Sequence, residues 1–378
     1  MSVGQIVIIG NYKPDKQISM LQYADLLLSG LVEHGVNVLT VYPEERLGKL
    51  FSNNKWIGYL DKIILFRLRI KSIVTKLLGN DRKGIVHICD HSNSFYAHMI
   101  QDYPVVVTCH DLMAIRAANG EFENNSPMFS GKLLQKWIKH HLQFSDYYIC
   151  DSKATQRDLH KVVPKSVNRS QVIYPGFYRN YNISNKNLSL SGIPLFNTDY
   201  ILHVGSNAWY KNRLGVIKVY CQYKKEYGDQ DLKCIFVGPQ LDEEQVELLK
   251  ENKLLDNTYV LSDVTHDDLL ILYTFAKVLM FPSIYEGFGW PPLEAQSCDC
   301  PVISSSEGSL KEVVGDSGLV ANWNDTASHV KHLNLVLSEQ RTRQSLVKKG
   351  RANVTRFSNN KMVSELLKFY ETVLKNRE

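Results

Sequence analysis

Two glutamates in this sequence have a spacing that could bind or transform a ligand. Glu286 and Glu294 flank a run of glycines, aromatic residues and prolines in the stretch SIYEGFGWPPLEA. A carboxylate on each side of a loop could form the acid and base pair of a glycosidase. However, Pro291 and Pro292 interrupt any helix that would carry both acids on one face. We therefore expect the two carboxylates to contact different parts of one extended ligand.

The stretch between the glutamates suits an anionic ligand. Its glycines let the backbone approach a ligand closely, and a proline fits the first turn of a helix. We predict that Glu286 lies in the loop and that Glu294 lies in the first turn of the helix that follows. The amides and the dipole of such a helix start favour a phosphate. The dipole also offers a purely structural explanation for Glu294, because carboxylates are favoured near helix N-termini.

A second loop, VGSNAWYKNRLGV, carries positive charge. Gly205 allows a tight exit from the preceding strand, and Lys211 lies close to Arg213 in sequence. A lysine combined with backbone amides is a common way to hold a diphosphate. Considered alone, Lys211 would be an ordinary surface lysine.

A histidine and an aspartate, His110 and Asp111, follow the run PVVVTC. They could be a general acid–base unit, a fragment of a metal site, or a hydrogen-bonded pair that caps a helix. Their spacing alone favours the structural role. No further His or carboxylate residues cluster at metal-ligand spacing, so we predict no metal site.

The elements that must position these loops follow one pattern. Apolar strand-like runs alternate with helix-like segments, as in parallel sheets covered on both faces by helices. The runs are QIVIIG, VNVLTVYP, GIVHIC, PVVVTCHD, YYICDS and SQVIYPG in the first half, and YILHVGS, KCIFVGP, TYVLSD, KVLMFPS, PVISSS and SGLVAN in the second. Two sequential sets predict two Rossmann-like, doubly wound α/β domains, whose ligands lie beyond the carboxyl ends of the strands.

The predicted domain boundaries follow from composition. Residues 177–199 are rich in Asn and Ser and lack a helical period, which marks a connection. We predict an N-terminal domain over 1–176 and a C-terminal domain over 177–359. The terminal segment 360–378 has the pattern of an amphipathic helix with no following strand, and we expect it to pack back onto the first domain.

Composition narrows the class of protein. The 378 residues suit two soluble domains, and no apolar run approaches the about 20 residues of a membrane-spanning helix. The seven cysteines include no CxxC pair, which indicates buried thiols in a reducing cytoplasm.

The first half of the chain carries the whole of the +5 net charge. This excess predicts an anionic partner there, such as a phosphate-bearing acceptor or a membrane face.

The stretch KIILFRLRIKSIVTKLL, residues 62–78, combines apolar and basic side chains. A basic amphipathic helix of this kind could lie on an anionic membrane and receive a lipid-linked acceptor. The alternative is ordinary packing in the first domain with a solvated charged side. The stretch LLQKWIKHH, residues 133–141, allows the same two interpretations.

Taken together, these loops resemble the donor-binding region of the retaining GT-B glycosyltransferases of family 4, also called glycosyl transferases group 1. The signature of that family is E-x7-E, and Glu286 and Glu294 have this spacing. The resemblance extends to HVGSNAWYKN, TCHD and SQVIYPGF and so covers most of the chain. It implies a GT-B fold, in which two Rossmann-like domains face a cleft and the terminal helix crosses back to the first.

The resemblance also implies roles for individual residues. Glu286 would contact hydroxyls of the donor sugar, Glu294 would bind the ribose, and Lys211 would neutralise the departing phosphate. His110 would lie across the cleft near the reacting centre, which makes a catalytic role the favoured interpretation of that histidine. The remaining residues implied in donor binding are Gly205, Arg213, Val264 at the base, Gly287, Phe288, Gly289, Trp290 and Leu293.

The implied activity is a retaining, metal-independent transfer of a sugar from a nucleotide-sugar to a saccharide or lipid-linked acceptor. Family frequency favours a UDP-sugar such as UDP-glucose as the donor. The donor is a substrate, and no cofactor is predicted. The alternatives are a GT-B epimerase and a non-catalytic nucleotide-sugar-binding protein. A nicotinamide-dependent dehydrogenase is disfavoured because no GxGxxG follows a first strand.

The sequence departs from the family pattern in two places. Ser206 stands where many members carry an arginine. Lys211 remains, and the sequence leaves open whether Arg213 compensates. The stretch GNYKPDKQISM replaces the glycine pair that is common after the first strand.

Overall fold

The protein forms two compact units in the computed structural model. The first comprises Met1–Phe177 and Phe357–Glu378, and the second comprises Tyr178–Arg356. The structure describes residues 4–48, 55–79, 84–122, 125–177, 189–190, 193–194, 198–229 and 231–376. The boundaries predicted from the sequence lie after residues 176 and 359.

The first unit is built on a parallel sheet whose strands are rich in valine and isoleucine. Its strands are β1 (Ile6–Ile9), β2 (Val38–Val41), β3 (Ile85–Ile88), β4 (Val105–Cys109), β5 (Tyr147–Cys150) and β6 (Ser170–Val172). They are ordered β2-β1-β3-β4-β5-β6. Strands β1, β3 and β4 are buried along their whole length, as expected for a sheet covered on both faces.

Helices cover both faces of this sheet. They are α1 (Ile18–Glu33), α2 (Lys55–Tyr59), α3 (Phe66–Leu78), α4 (Met113–Ala118), α5 (Phe129–Leu142) and α6 (Lys153–Val162). A π-helical turn, Leu60–Leu65, joins α2 to α3 without a break. The basic segment 62–78 is therefore helical throughout. A 3₁₀ stretch, His91–Met99, packs against α3 and α5.

The predicted connection at 177–199 lies mostly outside the described residues. Within it, β7 (Ser189–Leu190) and β8 (Ile193–Pro194) pair antiparallel. No helix in the described part of the chain has the length and apolar character needed to cross a bilayer.

The second unit has its own parallel sheet. The strands are β9 (Tyr200–Val204), β10 (Lys233–Val237), β11 (Thr258–Leu261), β12 (Val278–Phe281), β13 (Val302–Ser305) and β14 (Leu319–Ala321). Their order is β11-β10-β9-β12-β13-β14. The chain adds β10 and β11 on one side of β9 and then crosses to β12 on the other side. The switch point of the sheet therefore lies between β9 and β12.

Seven helices of the second unit connect these strands or follow them in the described residues. They are α7 (Arg213–Tyr227), α8 (Glu243–Glu251), α9 (His266–Phe275), α10 (Trp290–Ser297), α11 (Leu310–Val314), α12 (Thr326–Ser338) and α13 (Gln340–Val354). The twelve predicted strands and the doubly wound α/β class are confirmed.

The terminal helix α14 (Asn359–Lys375) belongs to the first unit, as predicted. Its apolar stripe packs in the same core as α1 and the face of the sheet that α1 covers. Gly30 of α1 gives the two helices room, since a Cβ there would lie 2.5 Å from the Val363 side chain. A hydrogen bond of 2.5 Å between the Tyr370 hydroxyl and His87 Nδ1 also ties α14 to β3.

Candidate active site

The two predicted donor loops meet at the switch point of the second sheet. Strands β9 and β12 are neighbours and pair at Ile201 and Val278. The loop after β9 contains Lys211, and the loop after β12 contains Glu286. Ligands of open parallel sheets bind at this point, beyond the carboxyl ends of the strands. The sheet order thus brings together two residues that are 75 positions apart in sequence.

An ion pair joins the two loops. Lys211 Nζ donates to Glu286 Oε1 at 2.7 Å. Both side chains are largely buried, with 16% of Lys211 and 10% of Glu286 exposed. Charges in such surroundings interact more strongly than charges in bulk water. A ligand that used both groups would have to replace this bond, with an anion for Lys211 and hydroxyl donors for Glu286.

Backbone contacts fix the position of Lys211. The Ile284 amide donates to the Tyr210 carbonyl at 2.7 Å, which connects the two loops directly. Asn212 adopts the left-handed conformation, caps α7, and donates from Nδ2 to the Pro282 carbonyl at 2.8 Å. Asn is among the few residue types that tolerate this backbone conformation. Lys211 is therefore held from both sides.

The loop that carries Glu286 is fixed by the segment after β13. Ser309 donates to the Glu286 carbonyl from its amide at 3.1 Å, and its hydroxyl lies 3.0 Å from the same oxygen and 2.6 Å from the Phe288 carbonyl. Gly308 has a φ of +60°, and a Cβ there would lie 2.5 Å from the Glu286 carbonyl oxygen. Neither residue was predicted from the sequence. Their signal is the stretch SEGSL, residues 306–310, which directly follows β13.

Helix α10 starts one residue before the prolines. Gly289 is its N-cap with a φ of +103°, and Trp290 is its first residue. Pro291 and Pro292 have no N–H, so any amide donation at this end comes from Gly289 and Trp290. Glu294 is the fifth residue of the helix and lies in its second turn, which corrects the predicted first turn. Prolines are tolerated within a first turn because its amides have no helical acceptor.

Glu294 has a specific partner that the helix dipole does not explain. The Tyr273 hydroxyl donates to Glu294 Oε2 at 2.8 Å. Burial raises the pKa of Glu294, and the hydrogen bond from Tyr273 offsets part of this effect. The dipole acts mainly within the first turn of a helix. The structural explanation for this carboxylate is therefore weaker than the sequence suggested.

The remaining predicted donor residues lie around these loops. The Gly205 amide donates to the Val237 carbonyl at 3.0 Å, and a Cβ on Gly205 would lie 3.2 Å from His203 Nε2. Val264 is partly buried in the loop between β11 and α9. Leu293 is completely buried and Phe288 nearly so. Any contact of these two residues with a ligand would therefore come from the backbone, as it would for Gly287.

Arg213 faces the interior of the second unit. Only 2% of its surface is exposed, and its guanidinium donates to the Pro239 carbonyl at 2.8 Å and to the Asn207 side chain. It also lies 4.9 Å from the centre of the Phe236 ring, and burial lowers its pKa. Arg213 supports the loop after β9 in this structure. The sequence left open whether Arg213 compensates for Ser206, and in this structure the guanidinium is turned into the interior of the second unit.

His110 forms a buried ion pair in the first unit, with a different acid from the one expected. Its Nδ1 lies 2.6 Å from Asp151 Oδ2, whereas Asp111 accepts at 2.9 Å from the amide of Met113, the first residue of α4. His110 and Asp151 directly follow the neighbouring strands β4 and β5. Burial would lower the pKa of His110, but the carboxylates of Asp151 and Asp90 outweigh it and raise the pKa to about 9.

Both ring nitrogens of His110 are occupied by protein atoms. The Nε2 atom lies 2.7 Å from the Cys89 carbonyl, which can only accept, so this nitrogen carries a proton. The Tyr23 ring packs edge-on against the imidazole at 4.7 Å. His110 is therefore charged and firmly held in this conformation. In the described part of the chain, no three His, Cys, Asp or Glu side chains gather as metal ligands.

The chain matches two family models, one for each half. Residues 195–353 match the model described as "Glycosyl transferases group 1", and residues 21–179 match "Glycosyltransferase Family 4". The first match contains both predicted donor loops, and the second contains His110 and Asp151.

Two curated relatives show the extent of the sequence similarity. The chain is 40% identical over 108 residues to the O-antigen chain mannosyltransferase B of Escherichia coli, covering 29% of this chain and 28% of the relative. It is 29% identical over 228 residues to the O-antigen chain mannosyltransferase RfbU of Salmonella typhimurium, covering 59% of this chain and 58% of the relative. The matches thus span less than two thirds of these relatives.

Solved structures share the fold over nearly the whole chain. Sucrose-phosphate synthase from Thermosynechococcus elongatus superposes with a TM-score of 0.76 at 17% identity, covering 99% of this chain and 100% of that one. The Anabaena protein HepE in complex with UDP and glucose superposes with a TM-score of 0.71 at 14% identity, covering 98% of this chain and 100% of that one. The fold is therefore that of the GT-B glycosyltransferases. Within that class, the chain belongs to the glycosyl transferases group 1, or glycosyltransferase family 4.

Proposed function

We propose that this protein is a hexosyltransferase that moves a sugar from a nucleotide-sugar to a saccharide or lipid-linked acceptor. The observation that carries the proposal is the Lys211–Glu286 pair at the switch point of the second sheet. It lies in the half of the chain that matches the group 1 family. Relatives named as O-antigen chain mannosyltransferases support a role in polysaccharide or glycoconjugate biosynthesis.

The chemistry of the site follows from the charges that develop in the reaction. When the bond between the anomeric carbon and the diphosphate oxygen breaks, negative charge grows on the diphosphate and positive charge on the sugar. Lys211 and the amides of Gly289 and Trp290 would stabilise the diphosphate. Glu286 would accept hydrogen bonds from sugar hydroxyls and orient the donor. We propose no metal requirement, because these groups supply the positive charge that a divalent cation would otherwise supply. We also propose retention of configuration, on the resemblance of the donor loops to those of the retaining family 4 enzymes.

The nucleoside is proposed to lie between α9 and α10 in the second unit. Glu294, held by Tyr273, would bind the ribose hydroxyls, and the backbone of Val264 would meet the base. A UDP-sugar such as UDP-glucose is the first candidate donor, supported by structural neighbours solved with UDP or UDP-glucose. A nucleotide-linked mannose is the second, supported by the names of the two curated relatives.

Thermal stabilisation by donors tests this proposal directly. A ligand that binds the folded protein raises its melting temperature by mass action. We expect one of UDP-glucose, GDP-mannose and an ADP-sugar to raise the melting temperature. The nucleoside diphosphate that corresponds to that donor should raise it as well. If none of these compounds shifts it at millimolar concentration, the donor site is wrongly assigned.

Replacing Glu294 by glutamine is expected to weaken binding of the stabilising nucleotide about tenfold. The reason is that hydrogen bonds to a charged acceptor are worth about 1.5–3 kcal/mol. Asp299→Asn is the matched control, because Asp299 follows the same helix and pairs with Arg351 on the exposed surface. Calorimetry measures both dissociation constants. Equal nucleotide affinity in Glu294→Gln and Asp299→Asn would show that Glu294 does not bind the ribose.

Replacing Gly308 by alanine is expected to slow release of the nucleoside diphosphate about tenfold or more without touching a reacting group. The new Cβ would displace the backbone of Glu286, and small misplacements in a site are costly. Gly228→Ala is the control, because Gly228 has a similar φ of +69° with nothing within 4 Å of its Cβ position. A turnover assay and the melting temperature of both variants separate displacement of Glu286 from backbone strain. Equal losses in both variants would contradict the prediction.

The same assay separates transfer from the alternatives. A GT-B epimerase would convert the donor to an epimer without an acceptor, which chromatography of the donor detects. A non-catalytic binding protein would bind the donor without releasing nucleoside diphosphate under any condition. We propose that the protein acts in the cytoplasm at the inner face of a membrane, with the peripheral contact that the basic segment 62–78 predicts.

A further inference from the structure

Two rows of apolar side chains on the first unit face solvent. One row is Leu60, Ile64 and Leu68, spaced four residues apart along the continuous helix from α2 to α3, with 42%, 47% and 71% of each residue exposed. The other row, at the start of α5, is Met128, Phe129 and Leu133, with 83%, 83% and 60% exposed. Six of the nine large apolar residues exposed in the described part of the chain lie in these rows. Such concentration on a surface marks an interaction site.

The two rows lie on the same side of the first sheet. Phe66, Ile70 and Val74 on the opposite side of α3 are buried in one core, which also takes Ile138 and Leu142 of α5. The 3₁₀ stretch His91–Met99 packs against both helices, and the Arg67 side chain of α3 reaches toward α5, where its guanidinium lies 5.7 Å from the centre of the Trp137 ring. We call the surface formed by the six exposed residues the apolar face.

Basic side chains border the apolar face. On α3, Lys71 and Lys76 follow Leu68 on the exposed side, and a groove of about 620 Å³ is lined by Leu68, Lys71, Ser72, Thr75, Lys76 and Gly79. On α5, Lys136 follows Leu133 on the exposed side. One lysine is partly neutralised, because Lys71 pairs with Asp102 at 3.0 Å. Apolar side chains next to amines and hydroxyls match the boundary between acyl chains and phosphate headgroups.

We propose that the apolar face docks onto an anionic lipid bilayer. The six apolar side chains enter the acyl boundary, and the phosphate of a lipid headgroup occupies the groove at Lys71 and Lys76. This proposal deepens the proposed function and rests on it for the lipid-linked acceptor. Binding to a bilayer itself needs neither donor nor turnover.

Charge favours a bilayer over a second copy of this chain. A twofold symmetric dimer brings the same patch of both copies together. The lysines that border the apolar face would then border both halves of the interface, and any two that approached within the screening length of about 8 Å at physiological salt would repel each other. An anionic bilayer instead attracts each of these lysines.

Sedimentation with lipid vesicles tests the proposal. Full-length protein is mixed with vesicles of phosphatidylcholine alone or with about 30 mol % phosphatidylglycerol. We expect binding to the anionic vesicles and weaker binding to the neutral ones. The double variants Ile64→Ser/Leu68→Ser and Phe129→Ser/Leu133→Ser should each lower the partition coefficient about tenfold or more. Lys71→Gln/Lys76→Gln should reduce the preference for phosphatidylglycerol.

The matched control is Val32→Ser. Val32 is 54% exposed on α1, and α1 covers the opposite face of the sheet, so this variant should bind vesicles as the wild type does. Melting temperatures verify that each variant is folded, and donor binding by the same proteins reports on the proposed function separately. The proposal is overturned if the wild type does not prefer anionic vesicles or if Val32→Ser loses as much binding as the double variants. It is also overturned if ultracentrifugation shows a dimer that only the double variants disrupt.

Discussion

Replacing Lys211 by methionine is expected to slow release of the nucleoside diphosphate about 100-fold to 1,000-fold. Losing one preformed donor to a developing anion typically costs this much. The ammonium group is held at 2.7 Å from Glu286, and Asn212 and Tyr210 fix the loop that carries it. Methionine keeps most of the side-chain length and removes the charge. The measurement is the initial rate of nucleoside diphosphate release with a saturating donor.

The control for this variant is Lys277→Met. Lys277 also pairs with an acid in the second unit, Asp199 at 2.8 Å, but it precedes β12 and so lies at the amino end of the strand rather than in the loop that follows it. Exposed ion pairs contribute little to stability, so this variant should keep its rate and melting temperature. Glu286→Gln should lose activity as Lys211→Met does, because it weakens the contact with sugar hydroxyls. Wild-type rates in Lys211→Met would exclude Lys211 from catalysis.

Replacing His110 by asparagine is expected to lower the free energy of unfolding by about 3–5 kcal/mol. Removing one member of a buried ion pair leaves the other charge uncompensated. Here the remaining charge is Asp151, of which 2% is exposed. The double variant His110→Asn/Asp151→Asn should recover part of the loss, because it removes the stranded carboxylate as well. Urea denaturation of the wild type, His110→Asn, Asp151→Asn and the double variant gives the coupling energy, and a His110→Asn variant as stable as the wild type would contradict the pairing.

The stability that His110 contributes through its pair with Asp151 should depend on pH with a definite sign. The pKa of His110 rises from 6.5 to about 9 in the folded protein, so the folded state binds this proton more tightly than the unfolded state. The resulting stability is fully present below pH 6.5 and is lost as the pH rises toward about 9. The difference in stability between wild type and His110→Asn should therefore shrink over this interval. A difference that grows with pH would show that His110 is not the titrating group.

The sequence predicted the strands and the donor loops well because both have local signals. Apolar runs of strand length are visible in sequence, and the order in which they occur indicates a doubly wound sheet. Lys211 and Glu286 each lie in the loop that follows such a run. The meeting of these two side chains could be inferred from the rule that ligands gather beyond the carboxyl ends of parallel strands.

The partners that hold these residues could not be predicted, because they are distant in sequence. Ser309 contacts Glu286 from the loop of the next strand, and Asp151 contacts His110 from 41 positions away. Asp111 was the nearer candidate and instead accepts from the Met113 amide at the start of α4. The burial of Arg213 was equally hidden, because the sequence does not show which way a long side chain turns at a helix start. The exposed row at 128–133 emerged only when burial was known for each residue.

Calorimetric titration of the wild type, Lys211→Met and Lys277→Met with the stabilising nucleotide-sugar tests the central claim most directly. The claim is that the donor binds at the switch point of the second sheet, between the loops of Lys211 and Glu286. We predict one donor per chain for the wild type and for Lys277→Met, and an affinity at least about tenfold lower for Lys211→Met. Equal affinity in all three proteins would contradict this location of the donor.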